Sequence, residues 1–260
     1  MQYDEVAEKY ERHIAPKYRP IASLVADRVP RGDCLAVVEL AAGTGLLTRL
    51  LAPRVVPGGS YLATDVAARM LGVARRHVPT EVELTVADLH AVPVPDRSAD
   101  LVVASLSPAQ DTVRGFREAY RLLRPGGRLL LGFWGGNYSE QRLLAAARRD
   151  LELQPYPTSN VSRVKRRAAT AGFVDVTVDR ARLDVTHDDV ESYLTYRAAF
   201  GWPPSLPARP ERDIRAALRR HARPFVQDDG RVRLDWTIRV LRATRPIEQS
   251  ATAPARAVAT

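Results

Sequence analysis

Three carboxylates punctuate the N-terminal part of the chain: Glu39 in VVELAAGTG, Asp65 in YLATDV and Asp88 in VADLH, each at the end of a short apolar run. Glu39 leads into Ala41, Gly43 and Gly45, a small-residue turn that lets backbone approach a ligand because no side chain intervenes. A dinucleotide-binding turn asks for a third glycine at position 48, where this chain has Thr48, and a carboxylate beside the turn repels pyrophosphate. Glu39 suits an ammonium group instead. Asp65, twenty residues after Gly45, can accept two hydrogen bonds from a ribose diol, a feature that by itself fits NAD equally well. Asp88 can accept from an adenine amino group while Leu89 covers the ring. Together the three acids describe a site for an adenosine whose far end is positively charged. S-adenosylmethionine carries an ammonium, a sulfonium and no phosphate.

The elements that must hold these residues are legible as apolar runs alternating with helical patterns, the signature of a parallel sheet flanked by helices. LAVVEL, SYLATD, VELTVAD, DLVVASL and GRLLLGFW read as strands. TGLLTRLLAPRV, AARMLGVARRH and TVRGFREAYRLL place apolar residues at three and four spacing and read as helices. After Trp134 the pattern changes: QRLLAAARRDLEL and SRVKRRAATAGF are helical, and VDVTVDRARLDV and RVRLDWTIRVLRA alternate as strands. Between those strands lie the helical THDDVESYLTYRAAF, capped by Thr186 or Asp188, and ERDIRAALRRHA, separated by the breaker-rich GWPPSLPARP. This insertion cannot join the sheet and is expected to cap it.

The stretches VVELAAGTGLLT, YLATDVAARMLGVAR, VADLHAVPVPDRSADLVVASLS and FREAYRLLRPGGRLLLGFW resemble, in order and spacing, the class I S-adenosylmethionine-dependent methyltransferases of the ubiquinone/menaquinone-biosynthesis type. The resemblance implies an α/β, Rossmann-like, seven-stranded and mostly parallel sheet with an antiparallel last strand, helices on both faces, and a helical cap from the N-terminal helices and the C-terminal insertion. It implies a cofactor site lined by Tyr10, Glu39, Ala41, Gly43, Gly45, Asp65, Val66, Met70, Asp88, Leu89 and Ser105. Ala41 departs from the glycine of the family pattern. Tyr3, Tyr10 and Tyr18 in the leading QYDEVAEKYERHIAPKYRP could present hydroxyls to cofactor or acceptor, and His13 and Tyr18 are the candidates for catalysis. An acceptor pocket would draw on Trp134, Asn137, Tyr138, Tyr193, Tyr196, Phe200 and Trp202 and suit a flat or apolar small molecule, with oxygen, nitrogen or carbon as the acceptor atom.

With 260 residues and 45% hydrophobic composition the chain can build one elaborated domain. The expected division is lid helices in residues 1–30, a cofactor-binding core in 31–135, capping segments in 136–172 and 186–229, a domain end at 244 and a disordered tail in 245–260. The charged start and the lack of an apolar run of about 20 residues suggest a soluble, cytoplasmic protein, monomeric or homodimeric. A single cysteine, Cys34, excludes an intramolecular disulfide and a thiolate-rich zinc site, and the five histidines form no H-x-x-x-H pair, so no metal is expected. The net charge of +9 raises the alternative of an RNA methyltransferase, and a non-methylating scaffold on the same fold is a second alternative. Arginine supplies that charge, with lysine only at Lys9, Lys17 and Lys165, and it is dispersed. Where amino-methylating nucleic-acid enzymes of this fold carry an Asn or Asp, Pro, Pro, aromatic run, this chain reads Ser105 to Gln110, SLSPAQ. A small-molecule acceptor, as in secondary metabolism, is therefore the expectation.

Overall fold

Continuous apolar runs mean strands buried on both faces, and an alternating run such as VELTV means an edge strand that is not. In the computed structural model, which describes residues 3–29, 36–136, 138–153, 160–200 and 210–247, those runs form β1 (Ala36–Leu40), β2 (Ser60–Asp65), β3 (Glu83–Val86), β4 (Ala99–Ser105) and β5 (Leu123–Trp134). With β6 (Val174–His187) and β7 (Val232–Thr244) they make a seven-stranded sheet in the order β3-β2-β1-β4-β5-β7-β6. Only β7 runs against the others, pairing antiparallel with both β5 and β6. Side chains alternate between two cores: Val37, Ala63, Leu101, Val103 and Leu130 face one, Val38, Leu40, Leu62, Val102 and Leu129 the other.

The helices divide accordingly. On the first face lie α2 (Ala15–Ala26), α6 (Ser139–Asp150), α8 (Val190–Ala199) and α9 (Glu211–Ala222), through Ile21, Leu143, Tyr193 and Ile214. On the second lie α5 (Val113–Leu122) and α7 (Val161–Thr170), through Phe116, Ala119, Val164 and Ala168. The short α3 (Thr48–Leu51) joins the first face through Leu51, and α1 (Tyr3–His13) and α4 (Ala68–Arg75) border the opening at the carboxyl ends of β1 and β2 through Tyr3, Tyr10 and Met70. Strand order reverses between β1 and β4, and in open α/β sheets that switch point is where ligands sit.

Several boundaries differ from the sequence expectation. The helix predicted over 44–55 shrinks to Thr48–Leu51, because the positive φ of Gly43 and Gly45 delays its start and Pro53 tightens its end into a 3₁₀ turn. β3 stops at Val86, which leaves Asp88 in the loop beyond it. The cap of α8 is neither Thr186 nor Asp188 but Asp189, whose carboxylate accepts from Ser192 N while Ser192 Oγ accepts from Asp189 N. Ordered structure also passes the expected domain end at 244: Arg245 is buried, donates to the carbonyls of Tyr120 and Leu123, and lies over the Tyr120 ring at 4.4 Å. Cys34, Asn137, Trp202 and the chain from residue 248 lie outside the described residues. Among the described residues no helix is long and apolar enough to cross a membrane, and no group of three His, Cys, Asp or Glu side chains could hold a metal.

Candidate cofactor and acceptor site

A cavity of about 480 Å³ opens at the switch point, within the usual size range of small-molecule sites. Of the residues predicted for cofactor, Tyr10, Glu39, Ala41, Gly43, Asp65, Val66, Met70, Asp88, Leu89 and Ser105 line it; of those predicted for catalysis or acceptor, Tyr18, Trp134 and Phe200 do.

The turn after β1 is built around two buried acids. Asp65 accepts from Gly43 N through Oδ2 at 2.8 Å and from Ala67 N through Oδ1 at 2.9 Å, so the end of β2 ties the glycine turn to the start of α4. The carboxylate also lines the cavity. Burial pushes the Asp65 carboxyl up and the backbone donors of Ala67, Gly43 and Val66 pull it back. Glu39, only 2% exposed, accepts at Oε2 from Thr48 Oγ1 and Tyr61 OH, each at 2.6 Å, leaving Oε1 to the cavity. Burial raises its carboxyl to about 7 against those two hydrogen bonds. At Gly43, φ is +58° and an added Cβ would meet nothing within 4 Å, so the backbone faces open space that a ligand can occupy. The acids, the bare turn and the absence of any lining lysine or arginine among the described residues fit a cationic adenosine cofactor.

Ala41 adopts φ 53°, the left-handed region that costs a residue with a Cβ roughly 1–2 kcal/mol. Ala41→Gly is therefore expected to stabilise the protein by about 1 kcal/mol, read as a rise of roughly 2–4 °C in calorimetric Tm. An unchanged or lower Tm would show that the turn relaxes without strain.

The lid over this floor is held by charge on one face of α1. Asp4 accepts from Arg69 N at 2.7 Å, Glu8 pairs with Arg76 at 2.8 Å and Glu11 with Arg49 at 2.8 Å, while Ala7 packs with Ala67, Met70 and Val73. This brings Tyr3 and Tyr10 over the cavity. Behind them, Tyr10, Tyr18 and Phe200 meet with centroids 5.9 to 6.3 Å apart, and Trp134 lies 5.7 Å from Tyr18. Helix α2 can come this close because β5 carries Gly132, whose missing Cβ would stand 2.6 Å from Val25 Cγ2. Burial raises the phenols of Tyr10 and Tyr18 above their ordinary range, which makes them hydrogen-bond donors rather than bases.

Five predicted residues lie elsewhere. Gly45 is a packing glycine: at φ +80° a Cβ would press on Val78 and Ala74 beside α4. His13, half-buried in the last turn of α1, does not line the cavity. Tyr193 and Tyr196 are buried in the core against His187, and Tyr138 stacks on the Trp134 ring at 5.5 Å rather than facing the opening. Residues that sequence reasoning missed include Thr44, Leu46, Ala87, His90, Leu106, Ser107 and Pro108. Their common signal is position: each sits within three residues of a residue predicted for the cofactor site.

The arginines of α9 are neutralised locally. Arg215 pairs with Glu211 at 3.5 Å and with Glu191 at 3.0 Å, Arg219 also meets Glu191, and Arg220 meets Asp150.

Residues 37–127 match a family model described as a methyltransferase domain. The malonyl-[acyl-carrier protein] O-methyltransferase of Halorhodospira halophila is 30% identical over 214 residues, covering 80% of this chain and 72% of that protein. The ubiquinone/menaquinone biosynthesis C-methyltransferase UbiE of Hahella chejuensis is 37% identical over 103 residues, 37% of this chain and 41% of that one. Among solved structures, phosphoethanolamine N-methyltransferase 2 of Haemonchus contortus in complex with S-adenosyl-L-methionine aligns with a TM-score of 0.60 at 20% identity, covering 94% of this chain and 57% of that one.

Proposed function

Because the chain belongs to the class I S-adenosylmethionine-dependent methyltransferases of the UbiE type, which act on small molecules, we propose that it methylates a planar, uncharged acceptor of secondary metabolism, bound between the cofactor and the aromatic wall. The carrying observation is one cavity lined by three acids, by five aromatic rings from the N-terminal helices, β5 and the end of α8, and by no lysine or arginine among the described residues. Glu39 would hold the cofactor ammonium, Asp65 the ribose and Asp88 the adenine amino group, with Val66, Met70 and Leu89 against the base. When bound, S-adenosylmethionine supplies an electrophilic methyl on sulfur. The chain then has to align the acceptor and exclude water. Tyr18 is assigned to orienting the acceptor by hydrogen bonding, and His13, outside the cavity, is not proposed as a base.

An anionic acceptor would meet only carboxylates here, and RNA would meet a basic helix whose arginines are already paired. The same reading places the protein in the cytoplasm as a monomer or homodimer. The test is transfer of radiolabelled methyl from S-adenosylmethionine to a panel of phenols, aromatic amines and flat carbon acids, with aliphatic carboxylates, phosphate esters and RNA as counter-panel. Activity confined to the counter-panel would overturn the acceptor assignment; cofactor binding with no transfer to any member would favour a non-methylating role. For an active acceptor, Trp134→Ala is expected to raise KM roughly tenfold through loss of ring contact while S-adenosylhomocysteine affinity stays within about threefold. Equal losses for acceptor and cofactor would remove Trp134 from the acceptor side.

A further inference from the structure

We propose that His90 is a positioning residue that fixes the Asp88 carboxylate for recognition of the adenine amino group, and so sets the base specificity of the cofactor site. This rests on the reading that Asp88 meets the adenine. Asp88 is exposed at the cavity rim and lies in a loop two residues beyond the end of β3, where a carboxylate with no partner would turn freely. Its hydrogen bonds among the described residues come from His90 alone, with the Arg114 charge also acting on it. Oδ1 accepts from His90 N at 2.9 Å and faces His90 Nδ1 at 2.9 Å, which occupies both of its lone pairs.

The Asp88 side of the imidazole decides which nitrogen carries the proton, because a carboxylate can only accept. His90 Nε2 lies 3.2 Å from Thr112 Oγ1, and Thr112 is the N-cap of α5, its oxygen accepting from Gly115 N at 3.0 Å. With Nδ1 donating to Asp88, the Nε2 of the neutral ring is an acceptor and takes the Thr112 hydroxyl proton, while Thr112 Oγ1 still accepts from Gly115 N. The chain α5, Thr112, His90, Asp88 therefore anchors a flexible loop acid to a helix terminus. The His90 backbone donor, then its ring, and last the Arg114 charge hold the carboxyl below its ordinary range, so it is ionised and Oδ2 can only accept. An exocyclic amino group satisfies an acceptor there, whereas the carbonyl of a hypoxanthine is repelled.

The arrangement makes an unusual prediction for Asp88→Asn. The two donors of His90 require the amide oxygen at the Oδ1 position, which turns the amide nitrogen toward the base and favours a carbonyl over an amino group. Calorimetric titration of the full chain with S-adenosylhomocysteine and S-inosylhomocysteine reads this directly. The wild type is expected to prefer the adenosyl ligand roughly tenfold, and Asp88→Asn to prefer the inosyl one. His90→Ala is expected to bring the ratio within about threefold of unity, and His90→Asn, whose amide nitrogen can stand in for Nδ1, to restore most of it. If Asp88→Asn leaves the ratio at its wild-type value, the adenine assignment of Asp88 itself is wrong. If Asp88→Asn shifts the ratio but His90→Ala weakens both ligands equally or neither, Asp88 reads the base without His90 and the positioning role is overturned.

Discussion

Replacing Asp65 with alanine is expected to weaken S-adenosylhomocysteine binding by about a hundredfold, ~3 kcal/mol, and to reduce methyl transfer in parallel. Two losses combine in that figure. A ribose diol offers two hydroxyl donors to a charged acceptor, each worth about 1.5–3 kcal/mol net, and competition with water in the open cavity argues for the lower end. The same carboxylate also accepts from Gly43 N and Ala67 N, so its removal leaves both donors without a partner and loosens the turn that faces the cofactor. Asp65→Asn should fall between, since one amide oxygen can serve only one of the two backbone donors while the amide nitrogen opposes the other. Titration calorimetry on variants with unchanged circular dichroism is the measurement. A dissociation constant within about threefold of wild type in folded Asp65→Ala would exclude the ribose role.

Why this aspartate was readable from sequence, while other parts of the site were not, follows from the kind of constraint each residue obeys. Glu39, Gly43 and Asp65 sit where a buried strand must end, and apolar runs mark strand ends strongly. The order of the sheet, with its reversed β7, came with the family resemblance rather than with any periodicity. The tyrosines of α8 show the limit. Tyr193, Tyr196 and Phe200 share a helical face, yet only Phe200, at the C-terminal end, reaches the cavity; the other two pack against His187 and Trp236. Helical periodicity names the buried face of a helix but not what it is buried against. His90 was missed for the opposite reason: it belongs to no periodic element, and its significance lies in hydrogen bonds to Asp88 and Thr112, the latter 22 residues away. Arg245 was assigned to the tail because the residues after it carry no pattern, although its guanidinium finds carbonyls at the α5–β5 junction that only the fold brings near.

Glu39 carries the second large expectation, a cofactor affinity that falls on acidification. Burial holds its carboxyl near 7 in the free protein, so at that pH about half the molecules present a neutral acid where the cofactor ammonium is proposed to bind. Only the carboxylate attracts a cation, so below this value binding must expel a proton and affinity drops about tenfold per pH unit. Between pH 7.5 and 5.5 the S-adenosylhomocysteine dissociation constant should rise about twenty-five-fold, ~2 kcal/mol, provided the bound-state value lies below that window. Stability of the free protein runs the other way. A carboxyl raised in the folded state favours folding below its unfolded value, and that contribution is lost as pH rises through about 7. Ligand-induced stabilisation should therefore grow from pH 5.5 to 7.5 while the Tm of the free protein loses the Glu39 contribution. Asp65, also raised by burial, could contribute to the same slope, and Glu39→Gln separates the two. The variant keeps a hydrogen-bonding group for Thr48 and Tyr61 but cannot titrate, so its affinity should be weaker at pH 7.5 and nearly flat down to 5.5. A wild-type slope surviving in Glu39→Gln would transfer the proton to Asp65, and a flat wild-type profile would mean that the ammonium does not meet Glu39 at all.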